Sequence, residues 1–316
     1  VIPSEYSFER YLSAKKSVDD RALNRHVWEC LTENLPAGRS LQVLEVGAGI
    51  GTMIERMLEW GALRDADYTA IDSDLDNIAA AQGRLRRWGT QHGCKVSQLT
   101  PDGWLLKGQG IRLVVHLQAV DLFDFIHECA GERQWDLLVA HAFLDLIDIP
   151  SALPQLVKLV RPGGLLYFTI NFDGATIFQP EIDPDFDDMV ERCYHRSMDA
   201  RITAGRPSGD SRSGRHLFKH LTQQGLRLLD TGASDWVVFA GKQGYPQDEA
   251  YFLHFILHTM QQALQSHPEL ETGRFSEWIA ERHAQVERGE LVYITHQLDL
   301  LAQAPAGINP GSGPSE

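Results

Sequence analysis

Leu41-Gln42-Val43-Leu44-Glu45-Val46-Gly47-Ala48-Gly49-Ile50-Gly51-Thr52 is the stretch whose reading decides the fold. Its mostly apolar opening reads as a strand buried on both faces, as in a parallel sheet. Glycines alternate at 47, 49 and 51, and Met53-Ile54-Glu55-Arg56-Met57-Leu58 then reads as a helix. A strand, a glycine turn and a helix N-terminus together form a nucleotide-cofactor site, because the free N–H groups at the helix start face the ligand. Glycine lets the backbone turn sharply and approach a ligand where a Cβ would collide. A dinucleotide fingerprint, G-x-G-x-x-G/A, would need a third small residue at position 52, counted from Gly47. Thr52 stands there.

What is present is Glu45-x-Gly47-x-Gly49-x-Gly51, with an acid near the end of the strand. This resembles motif I of the class I S-adenosyl-L-methionine (SAM) dependent methyltransferases. The resemblance implies that Glu45, Gly47, Ala48, Gly49 and Gly51 bind SAM. It places the Glu45 carboxylate near the methionine end, through the amino group or a water. A second strand, Tyr68-Thr69-Ala70-Ile71-Asp72, ends in an acid, and Asp74 opens the helix that follows. A carboxylate at that strand end can accept hydrogen bonds from two ribose hydroxyls. Asp72, with Ser73 beside it, is the candidate, and a helix cap is its competing role. Asp121-Leu122, after Gln118-Ala119-Val120, resembles the family's adenine-binding motif; here too a helix N-cap competes.

Further strands complete the pattern. Trp135 to His141 is an apolar run that delivers His141 and then Ala142-Phe143-Leu144-Asp145 to the carboxyl edge of the sheet, where open α/β sheets bind ligands. His141 and Asp145 are the catalytic candidates, and His141 is also a candidate for lining the cofactor pocket. A helix bearing Leu153, Leu156, Val157 and Val160 runs into Arg161-Pro162-Gly163-Gly164, then a strand from Leu165 to Ile170 that ends in Asn171-Phe172-Asp173. Pro and Gly end a helix and reverse the chain, and helix–RPGG–strand is a further resemblance to the same family. Residues 93–118 read as extra extended segments joined by hairpins. Late strands at Leu226–Leu229, Trp236–Phe239 and Leu291–His296 fit the family's antiparallel closing pair, with helices near 248–265 and 275–288 between them.

The fold class is therefore α/β: a Rossmann-like, seven-stranded, mainly parallel sheet with an antiparallel last strand, plus a helical cap. The expected organisation is a helical lid over 1–40, capped at Asp19 or Asp20, and a SAM-binding core over 41–173. An insertion covers 174–222, the end of the sheet with a helical insertion covers 223–303, and a disordered Pro/Gly/Ser tail covers 304–316. In the insertion, Arg192 to Lys219 collects seven Lys or Arg against two acids, after an acidic run from Glu181 to Asp188. Arg212 and Arg215 are the candidates for gripping an anionic substrate group; pairing with the acidic run is the other account. Tyr11, in the lid, and Asn171, at a strand end, are the remaining substrate candidates.

Composition bounds the partners. The net charge is −14 with a pI near 5.3, against the basic surface that nucleic acid or anionic membrane requires. The DNA-methylating motifs with paired prolines or a Pro-Cys nucleophile are absent, so a small-molecule substrate is expected. Four scattered cysteines form no CxxC pair, which implies no zinc or redox motif, no metal, and free thiols in a cytoplasmic setting. No apolar run is long enough to span a membrane. The start at Val1 carries no signal pattern and implies a removed initiator or tag. The resemblance implies methyl transfer by in-line attack of an acceptor, leaving S-adenosyl-L-homocysteine (SAH). A non-catalytic SAM-binding protein and, behind it, a nicotinamide oxidoreductase are the rival readings.

Overall fold

A computed structural model describes residues 2–129, 131–203 and 205–306. Two helices lead the chain: α1 (Phe8–Ala22), capped by Ser7, and α2 (Arg25–Asn34), whose Asn24 side chain accepts from the backbone of His26 and Val27. The expected cap at Asp19 or Asp20 is corrected: both lie inside α1, and the break falls at Leu23-Asn24.

The alternating core follows as β1 (Leu41–Val46), α3 (Thr52–Glu59), β2 (Asp65–Asp72), α4 (Leu75–Gln91), β3 (Lys95–Gln98), β4 (Gly103–Gly108), β5 (Ile111–Ala119), α5 (Leu122–Cys129), β6 (Trp135–His141), α6 (Ile149–Lys158) and β7 (Val160–Gln179). Then come α7 (Pro184–Asp199), the short pair β8 (Ile202–Thr203) and β9 (Arg206–Pro207), α8 (Ser213–Gln223), β10 (Arg227–Ala233), β11 (Trp236–Val238), α9 (Glu249–Leu264), α10 (Thr272–Arg288) and β12 (Val292–Gln303).

Nine strands run β10-β12-β7-β6-β1-β2-β5-β4-β3, with β11 also on β12, in one ten-stranded sheet. The pairs β5-β2-β1-β6-β7 are parallel, and β12 is antiparallel to β7 and β10. Seven of the ten strands are the expected Rossmann-like set with its antiparallel member. The other three are β3 and β4, which the hairpins at 93–118 add at one edge, and β11.

Every residue of β6 is buried, as a central strand between two helical layers requires. Val43, Tyr68, Leu113 and Leu137 pack on one face; Leu44, Leu138, Phe168 and Leu300 pack on the other. A third apolar cluster joins α1, α7, α9, α10 and β11 as a cap, around Val18, Phe252, Leu257, Met260 and Trp278.

Two expected boundaries move. β7 does not stop at Asp173: residues 176–179 go on pairing with Val292–Thr295 of β12, so the insertion begins after Gln179. Ala304 and Pro305 hold Gly164 and Gly163 by backbone hydrogen bonds and so belong to the sheet edge. The tail expected beyond them, 307–316, lies outside the described residues.

Candidate functional site

The glycine loop is built by backbone. Gly47, Gly49 and Gly51 all take the left-handed conformation, at φ +65°, +52° and +78°, which side chains disfavour. Ala48 holds the turn, donating to Ile71 and accepting from Gly51. Gly51 precedes α3 without a side-chain cap, so the first N–H groups of that helix are left for another acceptor.

Asp72, at the end of β2, lies against the loop. One carboxylate oxygen accepts from the Gly49 N–H at 2.8 Å; the other accepts from the Asp74 N–H and from Asn77. A carboxylate offers about four acceptor positions, so capacity remains for a ribose hydroxyl. Ser73 is exposed beside it. Asp74 supplies the cap of α4.

Glu45 corrects an expectation. It is 1% exposed and accepts a 2.8 Å hydrogen bond from the Tyr68 hydroxyl within the sheet. Burial pushes its carboxyl up to about 8, against the pull of the Tyr68 hydrogen bond and of Arg56. Glu45 is therefore a proton-bearing strut under the loop. Asp121 caps α5, accepting from the Phe123 N–H at 2.8 Å, so the competing cap role is filled, while its exposure leaves the carboxylate open to solvent. Leu122 is buried in the core. The Arg206 guanidinium, from the β8–β9 hairpin, lies 4.2 Å from the centre of the Phe123 ring. The insertion thus reaches across the sheet to the Asp121 turn.

The turn after β6 meets the glycine loop directly. A Cβ on Gly47 would stand 2.1 Å from the Phe143 ring, and one on Gly49 would stand 3.2 Å from Leu12 of α1. Phe143 and α1 therefore cover the cradle. Bare backbone at three glycines, an uncapped helix start and a strand-end carboxylate fit the methionine and ribose of SAM. Phe143 and Leu12 are the side chains that the ligand must share space with.

His141 also corrects an expectation. It is buried, with Nδ1 2.8 Å from the Thr169 hydroxyl and Nε2 2.9 Å from Asp19. Burial lowers its pKa to about 4, although Asp19 pulls the other way. Both ring nitrogens are hydrogen-bonded within the fold, so the imidazole fastens α1 to the sheet. Asp19 is the hub of this fastening. Burial alone would raise its pKa, but Lys15 at 2.5 Å and His141 hold it well below the usual carboxylate range. The Trp236 indole N–H donates to its other oxygen. Glu249 of α9 latches the same helix through Ser17 and Arg21. Next to His141, Ile170 takes φ +54°, rare for a β-branched residue, and its N–H is held by Asp299.

Asp145 lies in the short 3-10 turn after β6, half-buried. Its Oδ1 is enclosed without a hydrogen-bond partner among the described residues. Burial raises its pKa, with Arg201 opposing. Tyr11 is half-buried and stacked on Phe255 and Phe252. The sequence reading missed Asp19, Lys15, Phe143, Tyr194, Arg201, Trp236 and Tyr293. Their one legible signal is the i,i+4 ladder Tyr11–Lys15–Asp19 on a single helix face.

The other substrate candidates fall elsewhere. Asn171 is corrected: it is fully buried between β7 and β12, with its amide given to Leu298. Arg215 grips Asp173 through its side chain at 2.7 Å. The Arg212 backbone is held by Asp210, and its side chain is exposed beside Gly174. The acidic run pairs instead with α10, through Asp183–Arg274 and Asp187–Arg282.

The four cysteines are free thiols. Cys193, His267 and Glu269 bring ligand-type atoms within 4.8 Å of one another, a grouping that cysteine spacing did not suggest, and the Arg196 guanidinium contacts both Cys193 and Glu269. No helix among the described residues is long and apolar enough to cross a membrane.

Comparison with known proteins places residues 44–166 in a family described as a methyltransferase domain. No curated protein sequence matches the chain. Among solved structures, the [4+2]-cyclase SpnF is 15% identical, with 95% of each chain covered and a TM-score of 0.44. A phosphoethanolamine N-methyltransferase from Haemonchus contortus is 11% identical, covering 95% of this chain and 58% of its own, with a TM-score of 0.43. A SAM-dependent methyltransferase from Thiobacillus denitrificans, bound to SAH, is 13% identical, covering 93% and 98%, with a TM-score of 0.44.

Proposed function

We propose that the protein, whose residues 44–166 match a family described as a methyltransferase domain, is a class I SAM-dependent methyltransferase that methylates a small molecule held between the β6 turn and the cap. The observation that carries this reading is the juxtaposition of two half-sites. The left-handed glycine loop with Asp72 forms one, and the Phe143–Asp145 turn, touching Gly47, forms the other.

SAM, when bound, supplies a methyl group activated by its sulfonium charge. The chain's own residues hold and orient. Gly47 to Gly51 and the start of α3 present N–H groups, Asp72 accepts from the ribose, and the Asp121-Leu122 turn lies at the adenine end. Asp145 faces the acceptor, and His141 with Asp19 fixes α1, which carries Tyr11 over it. Positioning supplies much of the rate in a reaction whose electrophile arrives activated. Asp145, with its raised pKa, is the group available to take a proton from an acceptor that must lose one.

The small-molecule reading is favoured by the acidic net charge, which opposes a nucleic-acid substrate. The test is calorimetric titration with SAM and SAH, followed by incubation with SAM and a metabolite extract. SAH formation dependent on the low-molecular-weight fraction is expected. Tight SAM binding with no turnover on any fraction would leave a cofactor-binding protein without transfer.

A further inference from the structure

Three side chains of metal-ligating type, none of them used by the methyl-transfer reading, converge where α7 meets the cap. Cys193 lies on α7, and His267 and Glu269 lie on the turn that joins α9 to α10. The thiol sulfur, a ring nitrogen and a carboxylate oxygen all lie within 4.8 Å of one another. The turn is held in place. The His267 N–H donates to the Leu264 carbonyl and the Leu270 N–H donates to the His267 carbonyl. Leu264 and Leu270 are buried in the same apolar cluster as Cys193, so the backbone that carries two of the three groups is fixed against α7.

A cation already lies between them. One guanidinium nitrogen of Arg196, Nη2, stands 3.2 Å from the Cys193 sulfur and 2.9 Å from a Glu269 oxygen. Thiol and carboxylate therefore face a common point that holds positive charge. Arg196 reaches that point from the surface. Its side chain is 53% exposed, and an exposed ion pair of this kind is worth little, so the guanidinium can turn into water. The His267 ring makes one hydrogen bond, a 3.3 Å contact from the Glu269 N–H to Nδ1. Coordination through either ring nitrogen costs that one long contact.

The donor set selects the ion. Zinc bonds sulfur at about 2.3 Å and nitrogen or oxygen at about 2.0–2.2 Å, which spaces tetrahedral ligand atoms about 3.3–3.8 Å apart. Closing from the present spacing takes about 1 Å of side-chain movement, available to the exposed Glu269 and the half-buried His267. A thiolate, an imidazole and one carboxylate suit Zn²⁺ and not the hard, oxygen-seeking Mg²⁺ or Ca²⁺. Three protein ligands leave the fourth position to water.

We infer that Cys193, His267 and Glu269 bind one divalent ion of the zinc class, which displaces the Arg196 guanidinium and clamps α7 to the α9–α10 turn. As the metal–sulfur bond forms, the Cys193 thiol releases its proton to solvent. The inference stands apart from the methyltransferase reading and is measured without transfer.

The experiment titrates Co²⁺ and then Zn²⁺ into the full chain, freed of metal by a chelator. Co²⁺ is expected to bind one per chain, with a thiolate-to-cobalt charge-transfer band and the visible bands of a tetrahedral ion. Zn²⁺ should erase those bands and raise the melting temperature; Mg²⁺ should do neither. Cys193→Ser should abolish the charge-transfer band, while Cys30→Ser, at the one thiol of the four that is not fully buried, should leave it unchanged. Glu269→Gln and His267→Ala should each weaken Zn²⁺ binding by about tenfold or more, at least what losing a partner behind a ligand costs. Arg196→Gln should tighten it severalfold, because the competing cation is gone. Absence of the charge-transfer band overturns the inference, as does a band that survives Cys193→Ser. Should Cys193→Ser fail to fold, Glu269→Gln and Arg196→Gln still decide: Zn²⁺ affinity must move in opposite directions in the two, and any other result overturns the site.

Discussion

The two halves of the carboxyl edge are made in opposite ways. The proposed cofactor half is twelve consecutive residues plus one acid, and what it presents is backbone where side chains are missing. The proposed acceptor half is side chains brought from α1, the β6 turn, β11 and β12, with Tyr11, Trp236 and Tyr293 all packed against Phe252. A site of the first kind tolerates any neighbourhood that leaves the backbone bare. A site of the second kind exists only while the cap is packed. The difference predicts that substitutions on one side act on ligand affinity and on the other side first on stability.

The largest effect is expected at Asp19. Asp19→Ala leaves Lys15 buried without its carboxylate and strips partners from His141 and Trp236. Removing one member of a buried ion pair costs about 3–5 kcal/mol, to be read from urea unfolding. SAM affinity should change by less than about tenfold, since no glycine-loop contact passes through Asp19; tenfold is about 1.4 kcal/mol. A joint collapse of stability and affinity would show the two halves to be one unit, coupled through Leu12 and Phe143.

Glu45 sharpens the comparison from the other side, as a buried carboxyl under the glycine loop. Its folded pKa of about 8 lies above the ordinary carboxyl value. Between about pH 4.5 and 8 the folded state holds a proton that the unfolded chain has released, so stability falls as pH rises through that window. Glu45→Gln keeps the Tyr68 contact and removes the proton. The variant should gain stability over the wild type as pH rises, on the order of 2–4 kcal/mol by pH 8, and show no gain near pH 4. A difference flat with pH would mean that the carboxyl is ionised in the fold.

How much of this was legible follows the same division. Contiguous backbone devices carry their own signature: LEVGAGIGT and the acid ending β2 lie in order, and β1, α3 and β2 fall where those motifs put them, whereas Arg161 to Gly164, read as the turn before a strand from Leu165, lie inside β7, which starts at Val160 and bulges before Leu165. Glu45 was misjudged because a strand residue's facing depends on what lies across the sheet, here Tyr68. His141 was placed correctly at the end of β6, but its partner Asp19 is 122 residues away and looked like a helix cap. The extension of β7 past Asp173 was hidden because Gly174 reads as a break, while pairing with β12 carries the strand through it.

A smaller effect tests the cofactor half on its own. Asp72→Ala removes the acceptor of the Gly49 N–H as well as the expected ribose clamp. SAM affinity should fall by about 1.5–3 kcal/mol, measured by calorimetry, while Asp74 still caps α4 and thermal stability changes little. Unchanged affinity would remove Asp72 from the site.

The smallest expected effects separate two arginines that the sequence made equal. Arg215 is 52% exposed at its side chain but holds the nearly buried Asp173 by its Nε, with its backbone N–H on the same oxygen. Arg215→Ala therefore loses one exposed-side partner of a carboxylate that keeps another. Solvent screening limits the cost to about 1 kcal/mol or less, seen as a small drop in melting temperature with KM unchanged. Arg212 makes no such pair; its side chain stands in solvent beside Gly174, at the start of α8. Arg212→Ala should leave the melting temperature alone, within about 0.5 kcal/mol for a surface change. If the acceptor carries an anionic group, Arg212 is the cation free to meet it, and KM would rise with kcat unchanged, the mark of lost ground-state binding. With an acceptor that carries no anionic group, neither parameter moves. Measured on one substrate, the pair thus assigns Arg215 to the fold and tells whether the acceptor half extends to the start of α8.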